Sequence, residues 1–156
     1  MNTEVHDWRY SHSCAALTGF QRQLERFVMT NIEQQPQGTL TLQTLSMPAD
    51  TNPLGDIFGG WLLSQMDIAG AILAIEIAHG RVTTVAVSSM KFLHPVPVGS
   101  LVSCYSVLRA IGNTSIRVGI EVWIKDFKTH KRLKVTEGEF VYVAIDERGT
   151  KRPVNS

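Results

Sequence analysis

The segment from Trp61 to His79, WLLSQMDIAGAILAIEIAH, constrains the fold of this chain more than any other. Rich in Leu, Met, Ile and Ala, it is entered through Gly59 and Gly60 and followed by Gly80, a residue placed to end a helix. A helix of this length makes about five turns and runs roughly 29 Å. After Asp67 it is apolar on nearly every side, so it must be enclosed by other structure and not laid on a surface. Asp67 and Glu76, with Ser64 and Gln65, make it a poor membrane span.

The rest of the chain supplies strands to enclose it. Leu40, Leu42 and Leu45 among threonines predict a first strand, closed by the Pro48, Asn52, Pro53 and Gly55 punctuation. Beyond the helix, Val82 to Leu93 and Leu101 to Ile111 read as strands separated by Pro95, Pro97 and Gly99. Ile116, Val118, Ile120, Val122 and Ile124 then alternate with Arg117, Gly119, Glu121, Trp123 and Lys125, a period of two with one face inside. A last strand is expected over about Arg132 to Ile145. One buried helix with a single five-stranded antiparallel sheet is best accommodated by curling the sheet around the helix, the α+β arrangement called the hot-dog fold. Five strands cover such a helix incompletely, so two protomers joined in a continuous sheet are expected to bury the remainder and remove two edges.

Residues 1–37 lack this texture and read as an N-terminal extension, with residues 38–151 as the domain and 152–156 as a polar tail. Leu17, Phe20, Leu24 and Phe27 have the spacing of one helical face. Met29 opens a polar leader ahead of the first strand, so translation could equally begin there, leaving residues 1–28 untranslated. Fifteen basic against fourteen acidic residues give a formal charge of +1, with no overall field to recruit nucleic acid or an anionic membrane. Cys14 and Cys104 match no disulfide framework or zinc spacing, and no secretory leader is visible, so a cytoplasmic location is expected.

Met47, Pro48, Asp50, Thr51, Asn52, Gly55, Asp56, Phe58, Gly59, Gly60, Trp61, Gln65, Met66 and Asp67 together resemble the acyl-CoA thioesterase family of hot-dog proteins. The similarity continues through Gly70-Ala71, Ala78 to Arg81, Phe92, Pro95, Val98-Gly99 and Glu121 to Trp123, covering roughly residues 38–153. The resemblance implies hydrolysis of acyl-coenzyme A without metal or organic cofactor, in a hexamer built as a trimer of dimers. It also implies that Asp67 is the catalytic aspartate and Asn52 its asparagine partner.

Reading the residues themselves gives a compatible chemistry. An ionised carboxylate on an enclosed helix is costly unless paired, solvated by a cleft or used, which singles out Asp67. Its ordinary role would be a bond to neighbouring backbone or to a cation. Thioester hydrolysis needs an activated water or a carboxylate nucleophile, with donors aimed at the developing oxyanion. The backbone amides at Gly59, Gly60 and Trp61 are candidates, although adjacent glycines also serve tight turns. Asn52 can orient water or hold the carbonyl; its ordinary role is to bond its own loop ahead of Pro53. Asp56 is a secondary acid that could simply complement the helix dipole, and Thr84 could line the acyl site. Gly60 and Asp67 lie about 10 Å apart along one helix axis, too far for both to serve one reacting group. A site shared across a dimer interface follows as the expectation.

Coenzyme A phosphates need local cations, for which Lys125, Lys128, Lys131, Arg132, Lys134, Arg148, Lys151 and Arg152 are available, although a solvated hairpin explains them as well. His79 reads as a helix cap. His6, His12 and Cys14 match no strong metal site. Two other readings compete. A non-catalytic acyl-CoA sensor would not need both Asn52 and Asp67. A hot-dog hydratase or dehydratase would want a histidine beside a carboxylate at the helix start, and none lies between Met47 and Glu76.

Overall fold

The computed structural model describes residues 35–155 except 126 and 128–130. The helical spacing at Leu17 to Phe27, the Met29 start, His6, His12, Cys14 and Lys128 lie outside them. Five strands, β1 (Thr39–Leu45), β2 (Val82–Phe92), β3 (Leu101–Ile111), β4 (Ser115–Lys125) and β5 (Arg132–Ala144), accompany one long helix, α1 (Gly59–Ala78). The strands form one antiparallel sheet in the order β1-β3-β4-β5-β2. A short 3-10 turn, Pro48–Asp50, precedes the loop into the helix. The expected element order and fold are observed.

The alternation in β4 does what period two requires. Ile116, Val118, Ile120 and Val122 are buried beneath α1, joined by Val102 and Cys104 of β3 and by Phe140 and Tyr142 of β5. On the helix side the packing face is Leu62, Met66, Ala69, Gly70, Ala74 and Ala78. Small residues on that face let the helix approach the strands closely. A Cβ at Gly70 would collide with the Tyr142 hydroxyl and stand 2.7 Å from Ile120 Cδ1. Met66 is fully buried, a contact of about 1.5–3 kcal/mol by the area it removes from water. Ser106 Oγ donates to the Ala69 carbonyl at 3.2 Å and ties the helix to β3.

Coverage is incomplete, as expected for five strands. Leu63, Ile68, Ile72 and Ile75 of α1 are exposed, and so are Val85 and Val87 of β2 at one edge of the sheet. A helix apolar all round therefore has a covered half and a bare half.

Two expectations at the chain's turns need correction. The left-handed residue that ends α1 is His79, with φ 48°, not Gly80. A Cβ at Gly80 would stand 2.6 Å from Arg152 Nη2, the far end of a flexible side chain, which donates to the Ala78 carbonyl at 2.7 Å. Arg152 is thus a side-chain cap on an orphan carbonyl. Nor are residues 152–155 a loose tail. Val154 is buried in the core and its amide donates to the Asn113 carbonyl at 2.9 Å, so the domain continues past 151.

Candidate active site

The loop from Thr51 to Ile57 is organised by Asn52. Its Oδ1 accepts from the amides of Leu54 at 2.9 Å and Asp56 at 3.2 Å. The Asn52 backbone amide donates to the Asp56 carbonyl at 2.7 Å, and Gly55, at φ 91°, donates to the Asn52 carbonyl at 3.0 Å. This is the ordinary asparagine role in a turn, and it is realised here. It occupies only the carbonyl half of the side chain. Among the described residues Nδ2 has no hydrogen-bond partner, so its two protons remain available.

The loop delivers the chain to α1 through Phe58, whose amide is held by the Asp50 carbonyl at 2.9 Å and which provides no side-chain cap. Of the three candidate donors the structure separates one. The Trp61 amide donates to the Phe58 carbonyl at 3.1 Å, within the first turn, so it is not aimed outward. The Gly59 and Gly60 amides make no such bond. Space beside Gly60 is open, with nothing within 4 Å of where a Cβ would stand. Two unpaired amides at a helix start form an anion-binding feature.

Asp67 lies two turns further along α1 and is partly exposed. Its Oδ1 accepts from Thr84 Oγ1 at 2.6 Å. Tyr142 Oη donates to the Asp67 backbone carbonyl at 3.0 Å and lies 3.5 Å from the same Oδ1. Thr84 and Tyr142 are directly paired across β2 and β5, so both hydroxyls rise from one face of the sheet to one carboxylate oxygen. Burial, and secondarily the Asp67 charge, raise the Tyr142 phenol well above its ordinary value, which keeps it a neutral donor. Thr84 was foreseen only as a lining residue, and Tyr142 was missed. Its signal was a tyrosine at an inward position of the last strand, uninformative until its partner is known.

Two adjoining cavities meet at the helix start. One, of about 330 Å³, is lined by Asn52, Asp56, Gly59, Phe92 and His94 among others. The second, of about 360 Å³, is lined by Gly59, Gly60, Leu63, Val87, Met90 and Phe92, with no polar side chain. Asn52, Asp56 and Gly59 are therefore brought together, and Asp67 is brought to Thr84. Asp67 lines neither of these two cavities.

His94 corrects an argument made from the sequence. No histidine lies between Met47 and Glu76, yet the segment after β2 carries one into the Asn52 cavity. The sequence interval was a poor proxy for the spatial neighbourhood. Asp56 lines the same cavity and forms an isolated bridge with Pro97, instead of occupying the first turn of α1. Two of the candidate phosphate-binding cations are engaged elsewhere. Lys134 bonds Glu137 at 2.9 Å and Glu121 at 3.3 Å on the outer face of the sheet, and Arg152 caps α1.

Residues 54–129 match the model of the Thioesterase superfamily. The chain is 56% identical over 127 residues to the acyl-CoA thioester hydrolase YciA of Escherichia coli K12, an alignment spanning 80% of this chain and 96% of that one. It is 51% identical over 124 residues to an uncharacterised acyl-CoA thioester hydrolase of Haemophilus influenzae, spanning 78% and 80%. Among solved structures it resembles a hexameric thioesterase from Yersinia pestis, with a TM-score of 0.74, 55% identity and coverage of 78% and 99%. It also resembles an aspartate-to-alanine mutant of a hexameric broad-specificity acyl-coenzyme A thioesterase, with a TM-score of 0.74, 50% identity and coverage of 76% and 87%.

Proposed function

The chain belongs to the acyl-CoA thioester hydrolases of the Thioesterase superfamily, and from that membership we propose how its residues divide the reaction. It hydrolyses acyl-coenzyme A to coenzyme A and a carboxylate. One observation carries the mechanistic reading: Asp67 Oδ1 is occupied by Thr84, with Tyr142 close by, which leaves Oδ2 as the reactive oxygen.

In this reading Oδ2 takes a proton from a water whose oxygen attacks the thioester carbonyl carbon. The carbonyl oxygen becomes an oxyanion, received by the Gly59 and Gly60 amides and the positive end of the α1 dipole. Asn52 Nδ2 donates to the carbonyl or to the water. Collapse of the tetrahedral state breaks the C–S bond, and the leaving thiolate takes up a proton. Thr84 and Tyr142 act through Asp67, as positioning residues.

Asp67 and the helix-start amides are about 10 Å apart along one axis. The site is therefore composite, Asp67 of one protomer facing Asn52, Gly59 and Gly60 of its partner. The bare half of α1 and the exposed β2 edge supply the surface for that pairing. The hexameric state described for the similar structures fits three such dimers, and a cytoplasmic location fits the free buried Cys104.

Substituting Asp67→Asn tests the assignment. Free-thiol release should fall about 10²–10⁴-fold, the usual worth of a positioned base. A near-full rate would remove Asp67 from the role. Single turnover in ¹⁸O-water separates base from nucleophile, since only a carboxylate that attacks the carbonyl itself would carry label afterwards.

A further inference from the structure

Resting on this active-site reading, we propose that Phe92 is the specificity-determining residue for acyl length, the wall between a polar cavity for the thioester arm and an apolar trough for the acyl chain. Phe92 ends β2, and its ring lies against the first residue of α1: a Cβ on Gly59 would stand 3.1 Å from Phe92 Cζ. Phe92 and Gly59 line both cavities, and no other residue does.

The two spaces differ in chemistry. On one side of the ring stand Asn52, Asp56 and His94, suited to the amides and thioester of the coenzyme arm. On the other stand Leu63, Val87 and Met90, which offer an alkyl chain only apolar contact. Gly59 and Gly60 line the trough, so a carbonyl held by their amides would have the alkyl chain beside it. With the ring in place, the chain is confined to the trough. The ring is 56% exposed, so its removal opens the partition without excavating the core.

The test is a panel of acetyl-, hexanoyl- and palmitoyl-coenzyme A, read as kcat/KM by thiol release, for wild type, Phe92→Ala and Val87→Phe. For Phe92→Ala the palmitoyl-to-hexanoyl ratio should rise by about tenfold or more, because a long chain gains the volume the ring vacates while hexanoyl loses the ring contact. Val87→Phe, assayed in protein that light scattering shows to keep the wild-type assembly, fills the trough and should lower the palmitoyl-to-acetyl and hexanoyl-to-acetyl ratios by about tenfold, since acetyl does not reach it. Val87 is exposed within its own protomer, so this variant leaves the core packed and, read as ratios between acyl lengths, tests the trough even if Phe92→Ala fails to fold. Equal changes at all three lengths, or unchanged ratios, would overturn the proposal while leaving hydrolysis itself intact. A wild-type protein releasing no thiol from any of the three would instead overturn the active-site reading on which the proposal depends.

Discussion

The loop-holding role of Asn52 and its proposed catalytic role use different ends of one amide group, and they can be separated chemically. Its Oδ1 holds the loop through the Leu54 and Asp56 amides, while the proposed contact to substrate falls to Nδ2. Asn52→Asp keeps the acceptor and removes the donor. It should melt close to wild type yet lose about 10²–10³ in kcat, whereas Asn52→Ala should lose both stability and rate. A thermal melt beside a thiol-release assay reads the difference. Thr84 can be separated in the same way: Thr84→Val removes the 2.6 Å bond to Asp67 and should lower kcat about tenfold with KM unchanged, and Thr84→Ser should restore it. A change in KM alone would argue for simple lining. The proposed base, Asp67, stands out in the sequence, because a carboxylate on an apolar helix is conspicuous. Tyr142 and His94 do not, because their importance depends on which strands lie side by side and where the segment after β2 passes.

At the scale of elements, α1 is fixed by contacts that tolerate little change. Gly70→Ala would drive a methyl into the Tyr142 hydroxyl and Ile120, and should cost about 1–3 kcal/mol in a denaturation experiment. The same shift would disturb Asp67 three residues earlier, so activity should fall with stability. Helix and strand types were readable because periods of two and 3.6 are local properties, as the β4 row from Ile116 to Val122 shows. The cap at His79 was readable too, whereas the bond that Arg152 adds at the Ala78 carbonyl comes from far along the chain and was not. On the sheet's outer face, the hydrogen bond from Lys134 lowers the Glu137 carboxyl below its usual range, and Lys134 is raised chiefly by the same bond. The pair's stabilisation is present above the ordinary carboxylate value and lost as pH falls through the lowered one. At the alkaline end it is present below the ordinary lysine value and lost as pH rises through the raised one. Glu137→Gln should therefore melt below wild type at neutral pH, and the gap should close as pH is taken toward 3.

At the scale of the whole molecule, one side of α1 is incompletely covered by the described residues. Leu63, Ile68, Ile72 and Ile75 with Val85 and Val87 present apolar surface that a second copy can bury. Ile72→Glu should shift the protein toward monomer in sedimentation or light scattering, with activity lost in parallel. Retained activity in a monomer would sink the composite site. The sequence reading reached the incomplete coverage by counting strands, but which side chains remain bare depended on how α1 is rotated over the sheet.

In the proposed composite site Asn52 and Asp67 come from different chains, so lesions at the two residues can complement one another. Two inactive proteins, one lacking the Asn52 donor and the other the Asp67 carboxylate, should regain activity when dissociated and reassembled together. In a mixed dimer one site collects both lesions while the other receives neither. Random pairing in equal amounts would restore about a quarter of the wild-type sites. Activity would then belong to the assembly, since two chains with complementary lesions together make a site that neither makes alone.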